Sequence, residues 1–281
     1  ASHVFVPVAG AVLTELGAEV IKIEQPGTGD PYRGLVTAGL HKSFGGIVAT
    51  SDISLRVARG ARHALIGPNG AGKTTLINQL TGVLRPDAGT ILLEGADITR
   101  LAPHQRVRRG LARTFQINQL FSALTPLETI GLAVSERMGR GGDCWRVAGS
   151  RAAVDDSIVA ALERFHLTDV MHERTENLPY GKQRLLEIAL AIACRPRVLL
   201  LDEPAAGVPE EERHDIFSAV AALPRDVTVV FIEHDMDLVF SFAERISVLV
   251  NGAMFAEGAP EEIARDARVR AVYLGEEPVG A

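Results

Sequence analysis

The chain has 281 residues, 47% of them hydrophobic, and 29 basic against 35 acidic side chains give a formal net charge of −6. That is enough apolar material for one large α/β domain or somewhat more, and the acidic balance excludes a protein whose main task is coating nucleic acid. Two cysteines, Cys144 and Cys194, are too few for a disulfide framework and lack metal-ligand spacing; no run approaches the roughly 18 apolar residues of a membrane-spanning helix.

In chain order, Gly10 to Asp30 reads as a helix, a glycine stop, a strand and a turn, and the Pro/Gly-rich stretch from Gln25 to Gly34 marks a boundary. No basic segment opens the chain, so no signal peptide is expected. From about Leu35 to Ile98, short apolar strands alternate with glycine turns. Within this region Ala64–Ile66 reads as a strand and Leu76–Leu80 as a helix. Between them, Gly67-Pro68-Asn69-Gly70-Ala71-Gly72-Lys73-Thr74-Thr75 satisfies G-x-x-x-x-G-K-[ST], a phosphate-binding loop. Glycines let successive backbone N–H groups converge on phosphate oxygens with no Cβ in the way. The helix N-terminus adds partial positive charge. Lys73 is expected to reach the β- and γ-phosphates, and the Thr74 hydroxyl suits a Mg²⁺ ligand.

Further on, the basic cluster Arg106, Arg108, Arg109 and Arg113 is expected on a solvated or partner-facing surface. Polar, Gly-rich Met138–Ser150 reads as a loop between helices. Two continuous apolar runs, Val198–Leu201 and Val227–Ile232, suit central strands of a parallel sheet covered on both faces. The first ends in Asp202 and Glu203, the second leads to His234. Beside a phosphate loop, Asp202 is placed to hold a Mg²⁺ shell and Glu203 to orient or deprotonate water, and His234 could contact a γ-phosphate.

The ordered set Gly67–Thr75, Gln116, Leu178–Gln183, Asp202-Glu203-Pro204 and His234 resembles the ATPase subunit of ABC transporters. In that family these segments are the phosphate loop, glutamine loop, signature, Walker B acids and switch histidine. The resemblance spans about Leu35 to Gly275, leaving residues 1–34 as an extension and 276–281 as a tail. It implies an α/β P-loop NTPase fold: a RecA-like core, an antiparallel β subdomain, and a helical subdomain at about 117–190. It also implies ATP and Mg²⁺ as cofactors, with Thr74, Gln116 and Asp202 toward the metal and Glu203, His234 and Gln116 in hydrolysis. By position, Phe44 resembles the aromatic that stacks on adenine. Two such domains sandwich ATP, so the signature residues Pro179, Tyr180, Gly181, Lys182 and Gln183 are expected to face a second subunit's nucleotide.

More narrowly, Gly110–Gln116, Leu120–Thr125, Leu178–Gly181 with Leu186–Ile188, Glu203–Gly207, Ile232–Met236 and Val272–Gly275 resemble the branched-chain amino acid importer subgroup. Close relatives in that subgroup handle urea or short amides. The implied partners are a second ATPase subunit, two membrane-spanning permeases and an extracytoplasmic solute-binding protein, with no nucleic acid. The implied place is peripheral, at the cytoplasmic face of the inner membrane.

Two positions depart from the family pattern. Pro179 and Tyr180 replace the usual Ser-Gly of the signature, which removes a hydroxyl contact but keeps backbone N–H groups and the helix dipole. Pro209 stands where the D-loop usually carries Asp or Asn, and it has no N–H to donate. An asymmetric pairing with a different ATPase subunit is therefore expected, with a weakly hydrolysing nucleotide-binding module as the alternative. Residues 8–34, with Leu16–Glu24 and Pro26–Asp30, resemble the opening of family III CoA-transferases. The catalytic aspartate of that family lies far beyond such an opening, and no CoA transfer is expected.

Overall fold

The computed structural model describes residues 34–114, 120–138 and 152–274. The expectations for the segment before residue 34, for Gln116, for most of the 138–150 loop and for the tail lie outside the described residues.

The strands are Gly34–Phe44 (β1), Ile47–Ile53 (β2), Arg56–Ala58 (β3), Arg62–Ile66 (β4), Ala88–Leu93 (β5), Ala96–Asp97 (β6), Leu111–Arg113 (β7), Val198–Asp202 (β8), Thr228–Ile232 (β9), Arg245–Val250 (β10) and Ala253–Gly258 (β11). The helices are Lys73–Thr81 (α1), Pro103–Arg108 (α2), Pro126–Arg137 (α3), Ala152–Arg164 (α4), Tyr180–Ala193 (α5), Glu210–Ala221 (α6), Met236–Phe242 (α7), Pro260–Arg265 (α8) and Ala267–Leu274 (α9). An antiparallel sheet in the order β2-β1-β5-β6, with β3 also on β1, lies beside a six-stranded sheet in the order β11-β10-β4-β9-β8-β7. The second sheet is parallel except for β11.

Every residue of β4, β8 and β9 is buried. Successive side chains of a strand point to opposite faces, so each strand feeds two cores. Ala64, Ile66, Leu199, Leu201, Val229 and Phe231 enter one, beneath α3 to α7. There Phe231, Phe217 of α6 and Phe242 of α7 meet edge to face, with centroids 5.2 to 6.2 Å apart. Leu65, Val198, Leu200, Val230 and Ile232 enter the other, shared with α1 and the antiparallel sheet. The helical segment between β7 and β8 starts on a capping box: Thr125 Oγ1 accepts from Glu128 N–H, and the Glu128 carboxylate accepts from Thr125 N–H.

The basic cluster expected on the surface divides. Arg108 and Arg109 are exposed, but Arg106 is 1% exposed. On α2, Arg106 and Arg108 lie on opposite faces because the helix turns ~100° per residue. The Arg106 guanidinium donates to the carbonyls of Gln79 (2.7 Å), Leu80 (2.6 Å), Thr99 (2.8 Å) and Leu101 (3.0 Å). Gln79 and Leu80 belong to the last turn of α1, whose carbonyls have no partner within the helix. This cation is a buried helix cap.

His63, 1% exposed on β4, places Nε2 2.8 Å from Ser247 Oγ on β10. The Ser247 hydroxyl donates to Glu257 Oε2 at 3.4 Å, so it accepts from an Nε2–H. Burial lowers the His63 pKa to about 4, with nearby Glu257 opposing and Arg245 adding to the effect. An unfolded histidine titrates near ~6.5. Stability from this site is therefore full above pH ~6.5 and falls as the pH drops toward ~4, because only the unfolded chain takes up the proton. Between pH 7 and pH 5 the loss through His63 is about 2 kcal/mol. Urea unfolding at both pH values should show it in wild type, with a His63→Gln variant losing about that much less; equal losses would refute the assignment.

Candidate functional site

The phosphate loop joins the end of β4 to the start of α1. Its glycines have different duties. A Cβ on Gly67 would overlap the Leu249 carbonyl oxygen of β10, and one on Gly72 the Ala49 carbonyl oxygen of β2, whereas one on Gly70 would meet open space. Gly67 and Gly72 thus let the loop lie against two sheets, and Gly70 leaves its concave side clear. The loop is pinned by Gly252 N–H donating to Ala71 O at 3.0 Å.

Lys73 is 7% exposed, and its Nζ donates to the carbonyls of Gly67 (2.6 Å) and Pro68 (3.0 Å). Burial lowers its pKa, and the carboxylates of Glu203 and Asp202 oppose the shift. The ammonium expected to reach phosphates is held over the loop by the loop's own backbone. Pro68 is half-buried, Asn69 and Thr74 are exposed, and Thr75 is half-buried in the first turn of α1.

Phe44 ends β1 opposite Ile47 across the Gly45-Gly46 turn. Its ring is 49% exposed, with Lys42 Nζ 5.5 Å above it, and Ile47 and Val48 beside it are exposed as well. Ala49 touches Gly72, so the hairpin tip stands roughly 7 Å along the strand from the loop. The aromatic belongs to an open apolar edge next to the loop, with no core around it.

The acids arrive on the neighbouring strands. In register, Ile232 of β9 lies opposite both Leu65 of β4 and Asp202 of β8, so the three strand ends meet. Asp202 is 3% exposed, and its Oδ2 is 2.6 Å from Arg113 Nη2. Arg113 Nη1 donates to Asn78 Oδ1 of α1 at 2.6 Å. This corrects the second half of the basic cluster: Arg113 is a largely enclosed tie between the acid strand and the phosphate-loop helix. β7 places it there by pairing with β8, Arg113 opposite Leu200.

Glu203 sits at φ 48°, the left-handed region, and its N–H donates to Ile232 O at 3.0 Å. Such a backbone costs a non-glycine residue roughly 1 kcal/mol, and turns the side chain toward His234, whose Nε2 lies 3.0 Å from Glu203 Oε1. Glu233 is a site residue that the motifs did not reveal. It is 5% exposed, and its carboxylate accepts from the N–H groups of Ala205 (2.9 Å) and His234 (3.2 Å). Burial raises its pKa, the two backbone donors oppose this, and the Glu203 charge adds to it. Glu233 stitches the turn after Glu203 to the end of β9. An acid directly after the apolar run Val229–Ile232 was the available signal.

The signature opens α5. Pro179 is the N-cap with no side-chain cap bond, and the helix begins at Tyr180. Pro179 and Tyr180 are exposed, and they lead into a first turn whose leading N–H groups have no acceptor within the helix. Gly181 is buried because a Cβ there would overlap the Glu212 carboxylate of α6. Tyr180 lies over Gly207 in the turn after Walker B, and Arg184 stacks on its ring with Cζ 5.6 Å from the centroid. Lys182 and Gln183, expected to face a nucleotide, turn into their own domain. Lys182 Nζ donates to the His166 carbonyl and pairs with Asp169 at 3.0 Å, and Gln183 Nε2 donates to Leu178 O at 2.9 Å. Pro209 caps α6, whose first turn carries Glu210, Glu211 and Glu212, acids suited to a helix N-terminus.

Among the described residues no group of three or more His, Cys, Asp or Glu is placed to hold a metal. The Thr74 hydroxyl and Asp202 carboxylate are hard oxygen donors, the chemistry that Mg²⁺ combines with phosphate oxygens and water.

Two outcomes follow for folding. Gly72→Ala should cost about 3 kcal/mol through overlap with Ala49 and a forced left-handed backbone, and Gly70→Ala about 1 kcal/mol through backbone alone. Equal losses in urea unfolding would refute the distinction. Arg113→Met leaves the Asp202 charge buried and unbalanced, a loss of about 3 kcal/mol. In combination with Asp202→Asn the loss should shrink, and strict additivity of the two would show that the pair is not coupled.

Comparison with known proteins gives the site its context. A family model described as ABC transporter matches residues 50–206, and one described as branched-chain amino acid ATP-binding cassette transporter matches residues 253–279. A CoA-transferase family III model matches residues 1–64, running past the boundary expected at 34 into β1–β4. The high-affinity branched-chain amino acid transport ATP-binding protein BraF of Pseudomonas aeruginosa is 39% identical over 249 residues, covering 86% of this chain and 98% of the relative. LivG of Escherichia coli, named for the same transport, is 38% identical over 245 residues, covering 85% of this chain and 96% of the relative. The ADP conformation of an ATP-binding cassette of an ABC transporter superposes with a TM-score of 0.75 at 32% identity, covering 86% of this chain and 98% of that one. A nucleotide-free cassette gives 0.74 at 31%, covering 85% and 98%. With the phosphate loop, acids, histidine and signature in these places, the chain belongs to the ABC transporter family, as an ATP-binding subunit that hydrolyses ATP.

Proposed function

We propose that this subunit powers the import of branched-chain amino acids, with Mg²⁺, as one of two cassettes that share composite ATP sites on a pair of membrane-spanning permeases. The observation that carries the hydrolytic part is the meeting of Lys73, Asp202 and the Glu203–His234 pair at the ends of three adjacent parallel strands. The relatives' names and the match at residues 253–279 support the solute class. No helix among the described residues is long and apolar enough to cross a membrane, so the reading assigns the pathway itself to permeases and the solute's capture to an extracytoplasmic binding protein. Residues 35–275 form the cassette in this reading, and residues 1–34 an extension to it.

In the proposed cycle the loop N–H groups and Lys73 bind the phosphate oxygens, with Phe44 beside the base. Glu203, steadied by His234, accepts a proton from the attacking water. His234 and Gln116 contact the γ-phosphate. Arg113 holds one carboxylate oxygen of Asp202, leaving the other for a metal's coordination shell. Bound Mg²⁺ would neutralise charge on the phosphates. The exposed Pro179 and Tyr180 stand at the start of α5, so this signature would meet the partner's nucleotide through the helix N-terminus without a serine hydroxyl. With Pro209 as well, the paired subunit is a different ATPase.

The expected outcome is that Glu203→Gln in the reconstituted transporter binds ATP as wild type does but loses at least about 100-fold in turnover, together with ATP-driven leucine uptake. Unchanged turnover would exclude Glu203 as the base. Normal ATP hydrolysis with no leucine uptake in wild type would exclude the solute class alone.

A further inference from the structure

We propose that the cleft at the N-terminal edge of the parallel sheet, opposite the nucleotide site, binds a small multivalent anion bearing phosphate or carboxylate groups. The cleft is a cavity of about 710 Å³ between the core and helices α3, α4 and α5, and five of its lining residues are arginines: Arg59, Arg137, Arg164, Arg195 and Arg197. Two acids, Asp156 and Asp226, share the lining and leave a formal surplus of three positive charges. Arg197 immediately precedes β8 and Asp226 lies just before β9, whereas Asp202 and His234 lie at the other ends of these strands. The length of β8 sets the two sites about 16 Å apart. They are separate.

Two observations mark the cleft as more than a charged surface. Arg137 Nη1 donates to Ala193 O at 2.7 Å, but its Nη2 is buried with no hydrogen-bond partner among the described residues. A buried guanidinium N–H without an acceptor is costly, and Arg195 close by adds repulsion. Second, Arg195 follows the C-cap of α5 at φ 51°, a place where helices usually put glycine. An arginine there carries roughly 1 kcal/mol of backbone strain and sets its guanidinium on the cleft. A planar fork of donors is the geometry that pairs bidentately with phosphate or carboxylate. Apolar lining from Val134, Ala160, Phe165 and Pro224 accommodates a body attached to the anionic groups.

The test is calorimetric titration with inorganic pyrophosphate at about 150 mM salt, where surface charges are screened, with ADP in excess to fill the phosphate loop. Wild type should show saturable binding that the combined Arg137→Gln and Arg195→Gln variant weakens at least tenfold, while its ADP affinity stays unchanged. Arg85→Gln, on an exposed side chain outside the cleft, should bind as wild type. Should the Arg137 variant fail to fold, Arg164→Gln with Arg197→Gln tests the same cleft from exposed side chains. No pyrophosphate binding in wild type, or an equal loss in Arg85→Gln, would overturn the proposal. Sedimentation with phosphatidylglycerol vesicles distinguishes the source: co-sedimentation lost in the cleft variants, without pyrophosphate binding, would assign the arginines to lipid headgroups and overturn a soluble ligand.

Discussion

Burial of β4, β8 and β9 on both faces is the constraint on which the rest depends. A strand covered by apolar side chains above and below has nowhere to put a charge until it reaches the sheet edge. All three strands reach that edge together, in register and side by side. The phosphate loop, Asp202 with Glu203, and Glu233 with His234 are therefore gathered at one place by the packing of neutral residues, some of which never touch a ligand. In open α/β sheets ligands bind at the carboxyl ends of the strands, the edge at which these residues meet.

What holds the gathered charges in position is a set of largely enclosed ties. Arg113 spans Asp202 and Asn78, Glu233 spans the turn after Glu203 and the start of His234, and Arg106 closes the far end of α1. Each joins segments distant in sequence, so that the helix bearing the phosphate loop and the strand bearing the acids cannot drift independently.

The difference between local and distant determinants also explains how much could be read from the chain. Gly67–Thr75 and the two apolar runs carry their structural meaning within a few residues, and the strand–loop–helix unit and the buried parallel strands follow directly. Arg106 and Arg113 looked like neighbours of Arg108 and Arg109 because charge spacing says nothing of which helix or strand face turns inward. Glu233 was hidden for a related reason: its partners are backbone N–H groups, one of them 28 positions away. Lys182 and Gln183 lie in the signature motif, yet the motif does not reveal that Asp169 and the Leu178 carbonyl take up their side chains. Toward the beginning, the CoA-transferase match extends over β1–β4, but the described backbone there pairs only within the cassette, from Gly34 against Ala58 onward.

Tyr180 resting on Gly207 couples the signature to the turn after Asp202. A Cβ at position 207 would lie 3.2 Å from the tyrosine ring, on a backbone at φ 75° that already favours glycine, and a Cβ at position 181 would strike Glu212. Residues 180, 181, 207 and 212 therefore form one packing unit that joins the first turns of α5 and α6 to the turn after β8. Glycine at position 180 would remove the ring from its contacts with Gly207 and Arg184. A designed chimaera that changes the first turn of α5 therefore has to accommodate the turn after Glu203 as well.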